Sequence, residues 1–153
     1  SNIAEWYSYQ VEIDIVGANA TQRGTITLAQ DSYFAMMAWR TYCTGDTAAN
    51  FYQNNFSVLV SRGSTYQMMS APVVQSMFGS SSYFAGKQWA WPVIYSPLTN
   101  FDFSVQDLTG GATNNVFIAM EGYKIPVANW STFIRYFPEL EAIYGNNPPA
   151  AGS

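Results

Sequence analysis

The sequence has no histidine, one cysteine and few charged residues, and each shortage excludes a kind of chemistry. Asp, Glu, Lys and Arg make up 10% of the 153 residues. Histidine exchanges protons near neutral pH and is the commonest protein ligand for metals, so its absence removes the usual acid–base and metal chemistry. Cys43 is alone, which excludes an intrachain disulfide, and it has no histidine to activate it as a nucleophile. We predict no catalytic, cofactor-binding or metal-binding residues.

Basic residues and long apolar runs are also scarce. The formal net charge is −4, and the six Lys and Arg residues are scattered singly, so there is no basic stripe to meet a phosphate backbone. The longest apolar stretches, such as residues 34–39, are far shorter than the roughly 20 residues of a membrane-spanning helix. These shortages argue against nucleic acid and membrane as partners.

Aromatic side chains, in contrast, are plentiful, at 17% of residues. With so few charges, the surface is expected to consist largely of Ser, Thr, Asn, Gln and Tyr, which suits stable assemblies and contacts with proteins or sugars. The carboxylates do not predict a glycosidase pair. Asp102 alternates with Phe101 and Phe103, and it is therefore predicted to face solvent.

Period-two alternation predicts that most of the chain is strand. From Tyr7 to Ile15, apolar odd-numbered positions alternate with polar even-numbered ones, which indicates a strand with one wet face. Residues 24–28 repeat this pattern, and residues 56–61 form a further strand. The nearly continuous apolar run 33–42 is instead typical of a central strand buried on both faces. Short strands at 73–74 and 93–95, next to prolines, are predicted to lie at sheet edges.

The segment 100–125 predicts an antiparallel hairpin. Phe101, Phe103 and Val105 alternate with polar residues along 100–106, and a glycine-rich reversal follows at 107–114. An aliphatic strand then returns along 115–125.

After Pro126 the pattern changes from strand to helix. Apolar residues along 130–144 form one stripe, Pro138 suits a first helical position, and Gly145 suits a helix end. We predict an all-β fold, an antiparallel β-sandwich resembling a jelly roll, with a short helical C-terminal segment. The expected organisation is a β-sandwich domain over 1–127, a helical segment over 128–145 that packs on the sandwich or a neighbour, and a flexible tail over 146–153.

Two pairs of aromatic residues are candidates for contact with a partner. Trp89 and Trp91 lie on one face of an extended, loop-like stretch, where they are core residues, subunit-interface anchors or a stacking platform for sugars. Trp130 and Phe133 lie on the apolar stripe of the C-terminal segment, which either docks on its own sandwich or reaches over a neighbouring subunit. These four residues are the interface candidates.

Five segments together resemble the small capsid decoration, or cement, proteins of tailed bacteriophages and their head-auxiliary relatives: residues 26–34, 71–74, 91–94, 104–108 and 114–124. Their order, from an early strand and an Asp-containing turn to a final strand ending in Gly-Tyr-Lys, is similar to a recurrent phage arrangement.

This resemblance implies a non-enzymatic, jelly-roll-like virion protein on the outer capsid surface. Its implied partners are the major capsid protein and its own copies, in a dimer or trimer, and it implies no cofactor. The alternative is a carbohydrate-binding or host-adhesion β-sandwich domain of a tail or fibre, which the aromatic, uncharged surface suits equally.

Overall fold

The computed structural model describes residues 3–15, 17, 19–44, 55–63, 66–74, 78, 87–108, 114–145 and 148–149, without the side chains of residues 87–91 and 114. Within these residues, nine strands form two antiparallel sheets, which confirms the all-β sandwich. The strands are β1 (Glu5–Ile15), β2 (Thr21–Thr27), β3 (Ser32–Cys43), β4 (Phe56–Arg62), β5 (Tyr66–Gln67), β6 (Val73–Val74), β7 (Lys87–Tyr95), β8 (Asn100–Asp107) and β9 (Asn114–Pro126).

The strands pair in a nested order. The first sheet has the order β1-β9-β3-β7, and the second has the order β2-β8-β4-β5, with β6 also pairing with β4. Thus β1 pairs with β9, β2 with β8, β3 with β7, and β4 with β5 and β6. The first strand thus pairs with the last, the second with the second-last, and so on inward, as in a long hairpin that has been rolled up.

Strand β3 is a central strand, as its continuous apolar run predicts. It lies between β9 and β7, and nearly all of its residues are buried or half-buried. Phe34 and Met36 point into the core between the sheets, whereas Tyr33 and Ala35 point into a second cluster on the outer side of the first sheet. Because both faces are covered by apolar groups, the strand needs no polar face.

The predicted hairpin between residues 100–106 and 115–125 is wrong. Both segments are strands, but β8 lies in the second sheet between β2 and β4, whereas β9 lies in the first sheet between β1 and β3. The chain between them therefore crosses from one sheet to the other. Alternation indicates that one face of each strand is buried, and it does not indicate which sheet the strand joins.

The main core fills the space between the two sheets. Phe34, Phe56, Phe101 and Phe103 are fully buried there. The ring of Trp39 packs edge-on against Phe101 and Phe103, with centroids 6.4 and 5.9 Å away. Edge-to-face contacts of this kind are favourable beyond the area they bury, so the high aromatic content is largely used to pack the sandwich.

The first sheet contains a bulge at which a glycine is required. The pairing of β3 with β9 shifts register between Met36 and Ala38, opposite Gly122. A Cβ atom at Gly122 would overlap the carbonyl oxygen of Ala35, which is backbone and cannot move aside. Only glycine allows the two strands to approach this closely.

The C-terminal segment, residues 127–145, packs on the outer side of the first sheet. It consists of a 3₁₀ turn (Val127–Asn129), a short α-helix (Trp130–Phe133), a second 3₁₀ turn (Ile134–Tyr136) and an α-helix (Pro138–Tyr144). Pro138 begins the last helix and Gly145 follows it with a φ of 57°, as the sequence predicts. The buried residues of the segment join strand residues in the second cluster, whose members are Tyr33, Ala35, Ile94, Ile125, Trp130, Phe133, Ile134 and Leu140.

Candidate functional site

The candidates Trp89 and Trp91 lie on β7, an edge strand of the first sheet. Their backbone is strand rather than the loop-like stretch that the neighbouring Pro92 suggested. Proline is tolerated here because Pro92 lies on an edge strand, between Gln88 and Val93, where the register with β3 shifts. The side chains of both tryptophans lie outside the described residues, so their role as interface anchors stays a prediction.

The candidates Trp130 and Phe133 are core residues of the second cluster, with only 3% and 4% of their surface exposed. The indole ring of Trp130 lies 5.2 Å from the ring of Tyr33 and 6.0 Å from that of Tyr144. Both residues pack within their own chain, so they offer little surface to a partner in this conformation. Exposed residues beside them are therefore the better interface candidates.

An apolar groove with a volume of about 260 Å³ opens where the C-terminal segment meets the end of the first sheet. We call it the aromatic groove, and it is lined by Ile3, Ala4, Tyr123, Phe133, Tyr136 and Phe137. On its rim, Tyr136 is 68% exposed, and nearby Trp6 is 53% exposed. Large amphipathic rings that are rigid and exposed are the usual anchors of protein interfaces.

Strand pairing and helix docking bring these rings into one row. Trp6 lies opposite Tyr123 in the pairing of β1 with β9, and their rings meet edge to face with centroids 5.2 Å apart. The ring centroid of Tyr123 is 6.5 Å from that of Phe133, which is in turn 4.9 Å from the ring centroid of Phe137. The row runs from an edge strand to the C-terminal segment, so a partner could contact both elements at once.

A hydrogen bond joins the N-terminal wall of the groove to the start of the C-terminal segment. The side-chain amide of Asn129 donates a hydrogen bond to the carbonyl oxygen of Ile3, at 3.2 Å. Ile3 and Ala4 also pack against the second cluster. The groove is therefore shaped before any partner arrives, which lowers the entropy cost of binding.

The sequence contained a signal for Trp6 that the interface candidates missed. Trp6 shares the even-numbered face of β1 with Ser8, Gln10 and Glu12, which is the face that alternation assigns to solvent. A tryptophan on a polar face is a better indication of a contact surface than a tryptophan in an apolar stripe. Tyr136 carried no such signal, because the helical stripe includes residues on either side of it.

Charged residues of both signs lie at the same end of the first sheet, on the face opposite the groove. Lys124 lies opposite Glu5 in the strand pairing, and its Nζ is 4.9 Å from the ring centroid of Tyr7. A smaller cleft of about 210 Å³ lies beside them, lined by Ala4, Glu5, Asp31, Ser32, Lys124 and Pro126. The aromatic groove itself is lined by apolar and aromatic residues.

The outer face of the second sheet has the opposite character. Asp102 points away from the core, as predicted, and accepts a hydrogen bond from the hydroxyl of Thr25 at 2.9 Å. We call the adjoining depression the polar cleft; its volume is about 320 Å³, and it is lined by Arg23, Leu59, Ser61, Gly63, Asp102, Phe103 and Ser104. Its hydroxyls, guanidinium and carboxylate could donate and accept hydrogen bonds with a polar ligand.

Two phenols, the buried Tyr95 and the half-buried Tyr9, have perturbed pKa values, and neither lines the aromatic groove or the polar cleft. Burial raises the pKa of Tyr95 to about 12, against a smaller lowering effect of the Arg62 guanidinium. Burial also raises the pKa of Tyr9, while a hydrogen bond from the backbone N–H of Ala29 opposes the rise. Both phenols therefore stay protonated at neutral pH.

The described residues lack a metal-ligating cluster and a long apolar helix. Among them, no three or more acidic or cysteine side chains are grouped so as to hold a metal ion. None of the described helices is long and apolar enough to cross a membrane.

A scan of the sequence against protein-family models gives no match, and a search of curated proteins finds no significant similarity. The functional conclusion therefore rests on the surfaces described above.

Proposed function

We propose that this chain is a non-enzymatic virion structural protein, a decoration or cement protein that binds the outside of a phage head and stabilises the contacts between capsomers. Its partners would be the major capsid protein and further copies of itself. The aromatic groove carries this proposal, because it combines exposed rings with a preformed, apolar shape on one side of the sandwich.

The strand order supports the same class of protein. With β5 and β6 counted as one interrupted edge strand, the chain supplies eight strands in two sheets, and their nested pairing would suit a jelly roll. Jelly rolls are frequent in viral capsid proteins and in lectins. The fold thus favours both the virion proposal and its sugar-binding alternative.

The mechanism would be one of contact rather than catalysis. A stable protein contact buries about 800 Å² on each partner, with most of the binding energy in a few aromatic anchors. Trp6 and Tyr136 are the anchors that the structure leaves exposed. An oligomer that places several such contacts on neighbouring capsomers would tie them together, because each further contact forms at a high effective concentration.

Attachment of the purified protein to heads that lack it tests this proposal. We expect Trp6→Ala and Tyr136→Ala each to weaken attachment about tenfold or more, as interface anchors do. Both side chains are largely exposed, so the fold should persist, and circular dichroism checks it. Tyr66→Ala is the matched control, because Tyr66 is 56% exposed on β5, outside the groove. Unchanged attachment of a variant that carries both Trp6→Ala and Tyr136→Ala would refute the groove as the capsid contact.

The alternative, a carbohydrate-binding or host-adhesion domain, is favoured by the polar cleft. Sugars are recognised by paired hydrogen-bond donors and acceptors, and Arg23 and Asp102 supply both. A glycan array followed by isothermal titration calorimetry would test it. Binding of a polysaccharide that is lost in Asp102→Asn and kept in Trp6→Ala would favour this alternative over the capsid contact.

A further inference from the structure

The edge strands of the sandwich differ in how well they are protected against pairing with another chain. The edge strands β5 and β6 have two residues each, β2 has Gly24 in its interior, and β7 contains Pro92 and pairs with β3 across a register shift. Short strands, prolines and bulges are the means by which proteins blunt such edges. β1 has none of these three features, because its 11 residues include no Pro or Gly and pair with β9 in continuous register, and only its acidic side chains discourage pairing.

The outer edge of β1 is open in the part of the chain that the structure describes. There, β9 alone pairs with β1, and the other backbone hydrogen bonds involve no residue of β1. The apolar side chains on its inner face are also incompletely covered near this edge. Tyr7 is 37% exposed, and Tyr9 and Val11 are half-buried. A strand added to this edge would cover them.

β1 is complementary to itself about its midpoint, Gln10. In an antiparallel pair with a second copy that sets Gln10 opposite Gln10, all 11 residues of the strand find a partner. On the inner face, Tyr9 then meets Val11, and both are half-buried and have surface to offer, whereas Tyr7 lies opposite Ile13, which is already buried in the main core. Pairs of an aromatic and a β-branched residue are among the favourable cross-strand contacts.

The acidic residues of β1 are also accommodated in this register. Each of them faces an uncharged residue of the second copy: Glu5 faces Ile15, Glu12 faces Ser8, and Asp14 faces Trp6. A register centred on Glu12 would instead set two carboxylates directly opposite each other, which destabilises a strand pair. Charge therefore favours the register that also uses the full length of the strand.

We propose that two copies of this chain pair through β1 in this register and join their first sheets into one eight-stranded sheet. The two-fold axis is then perpendicular to the sheet, so the two aromatic grooves face the same side. This inference specifies how copies of the chain contact each other in the proposed function, and the biological role of the dimer rests on that function. Two grooves on one side would allow one dimer to hold two capsomers at once.

Analytical ultracentrifugation over a series of concentrations tests the pairing. We expect the wild-type chain to form a species of twice its 17.0 kDa. Gln10→Lys and Gln10→Glu should each weaken the dimer about fivefold, because each sets like charges opposite each other. An equimolar mixture of the two variants should restore the dimer, since the introduced ammonium then faces the introduced carboxylate. Gln10 is exposed, so both variants should fold.

Gln106→Lys is the matched control, because Gln106 is an exposed glutamine on β8, whose two edges are both paired. A monomeric wild type, or Gln10 variants that dimerise like the wild type, would overturn the pairing through β1. A tighter dimer of Gln10→Lys would overturn the register, because the lysine would then face Glu12. Attachment to heads is measured separately, so a monomer that still attaches would overturn this inference and leave the proposed function standing.

Discussion

The two hydrophobic clusters of this chain lie on opposite faces of the same strands, and they are closed in different ways. The main core has a sheet on each side, and its large rings are fully buried. The second cluster is closed by short helices and turns, which leave Tyr136 and Ile143 more than 60% exposed. Among the described residues, the indole N–H of Trp130 also has no hydrogen-bond partner there. The main core is closed to solvent by a sheet on each side, whereas the elements that close the second cluster cover the first sheet and also form exposed surface.

The largest expected effect comes from breaking both clusters at once. Gly122→Ala would place a Cβ atom against the carbonyl oxygen of Ala35, a member of the second cluster, beside Met36 of the main core. We expect a loss of about 5 kcal/mol or more in the free energy of unfolding, comparable with the whole stability of a small domain. Urea denaturation followed by circular dichroism measures it.

Gly17→Ala provides the matched control for this substitution. A Cβ atom at Gly17 would meet only the Cβ atom of Ala20, at an ordinary distance of 3.9 Å. We expect it to be near neutral. Wild-type stability of Gly122→Ala would contradict the close strand approach at the bulge.

A matched pair of phenylalanines separates the two clusters. Phe103→Ala in the main core should cost about 3–5 kcal/mol, because it leaves a sealed cavity between the sheets. Phe133→Ala should cost less, because Phe133 borders the aromatic groove and solvent and neighbouring rings can fill the space. Urea denaturation of both variants measures the difference, and equal losses would contradict the distinction between the clusters.

Hydrogen exchange sharpens the same comparison. In Phe133→Ala, we expect amides of the C-terminal segment to exchange faster while the strands of the second sheet keep their protection, because a cover can open locally. In Phe103→Ala, exchange should rise throughout the sandwich. Uniformly faster exchange in both variants would show that the segment does not open by itself.

The smallest expected effect is a loss of stability in alkali that comes from the main core. Burial raises the pKa of Tyr95 from 10.0 to about 12. Between these values the unfolded chain loses this proton while the folded chain keeps it. The contribution of Tyr95 to the free energy of unfolding is therefore present in full below pH 10 and is lost as the pH rises toward 12. The loss should be on the order of 2–3 kcal/mol. Tyr95→Phe should lack this part of the pH dependence in urea titrations, and an identical dependence in both proteins would contradict the burial of the phenol.

Much of the fold followed from residue patterns, because each pattern reports burial of one strand at a time. Alternation along β1 and the continuous apolar run of β3 correctly indicated one buried face and two buried faces. The same signal could not assign β8 and β9 to different sheets, because a hairpin and a crossing between sheets both bury one face of each strand. Pairing between distant strands depends on the whole chain.

The contact surface was harder to predict than the fold. An apolar stripe predicted contact for Trp130 and Phe133, and these residues are buried within the chain itself. The groove depends on how the C-terminal segment docks beside Trp6, which is more than 100 residues away in sequence and is brought close by the pairing of β1 with β9. The one local signal was a tryptophan on the polar face of β1.

Quantitative mass spectrometry of purified virions, from the source that encodes this chain, tests the central claim most directly. We expect the chain to be present in a simple whole-number ratio to the major capsid protein, as repeated attachment to a head requires. Absence of the chain from purified particles would contradict the proposal that it is a decoration protein.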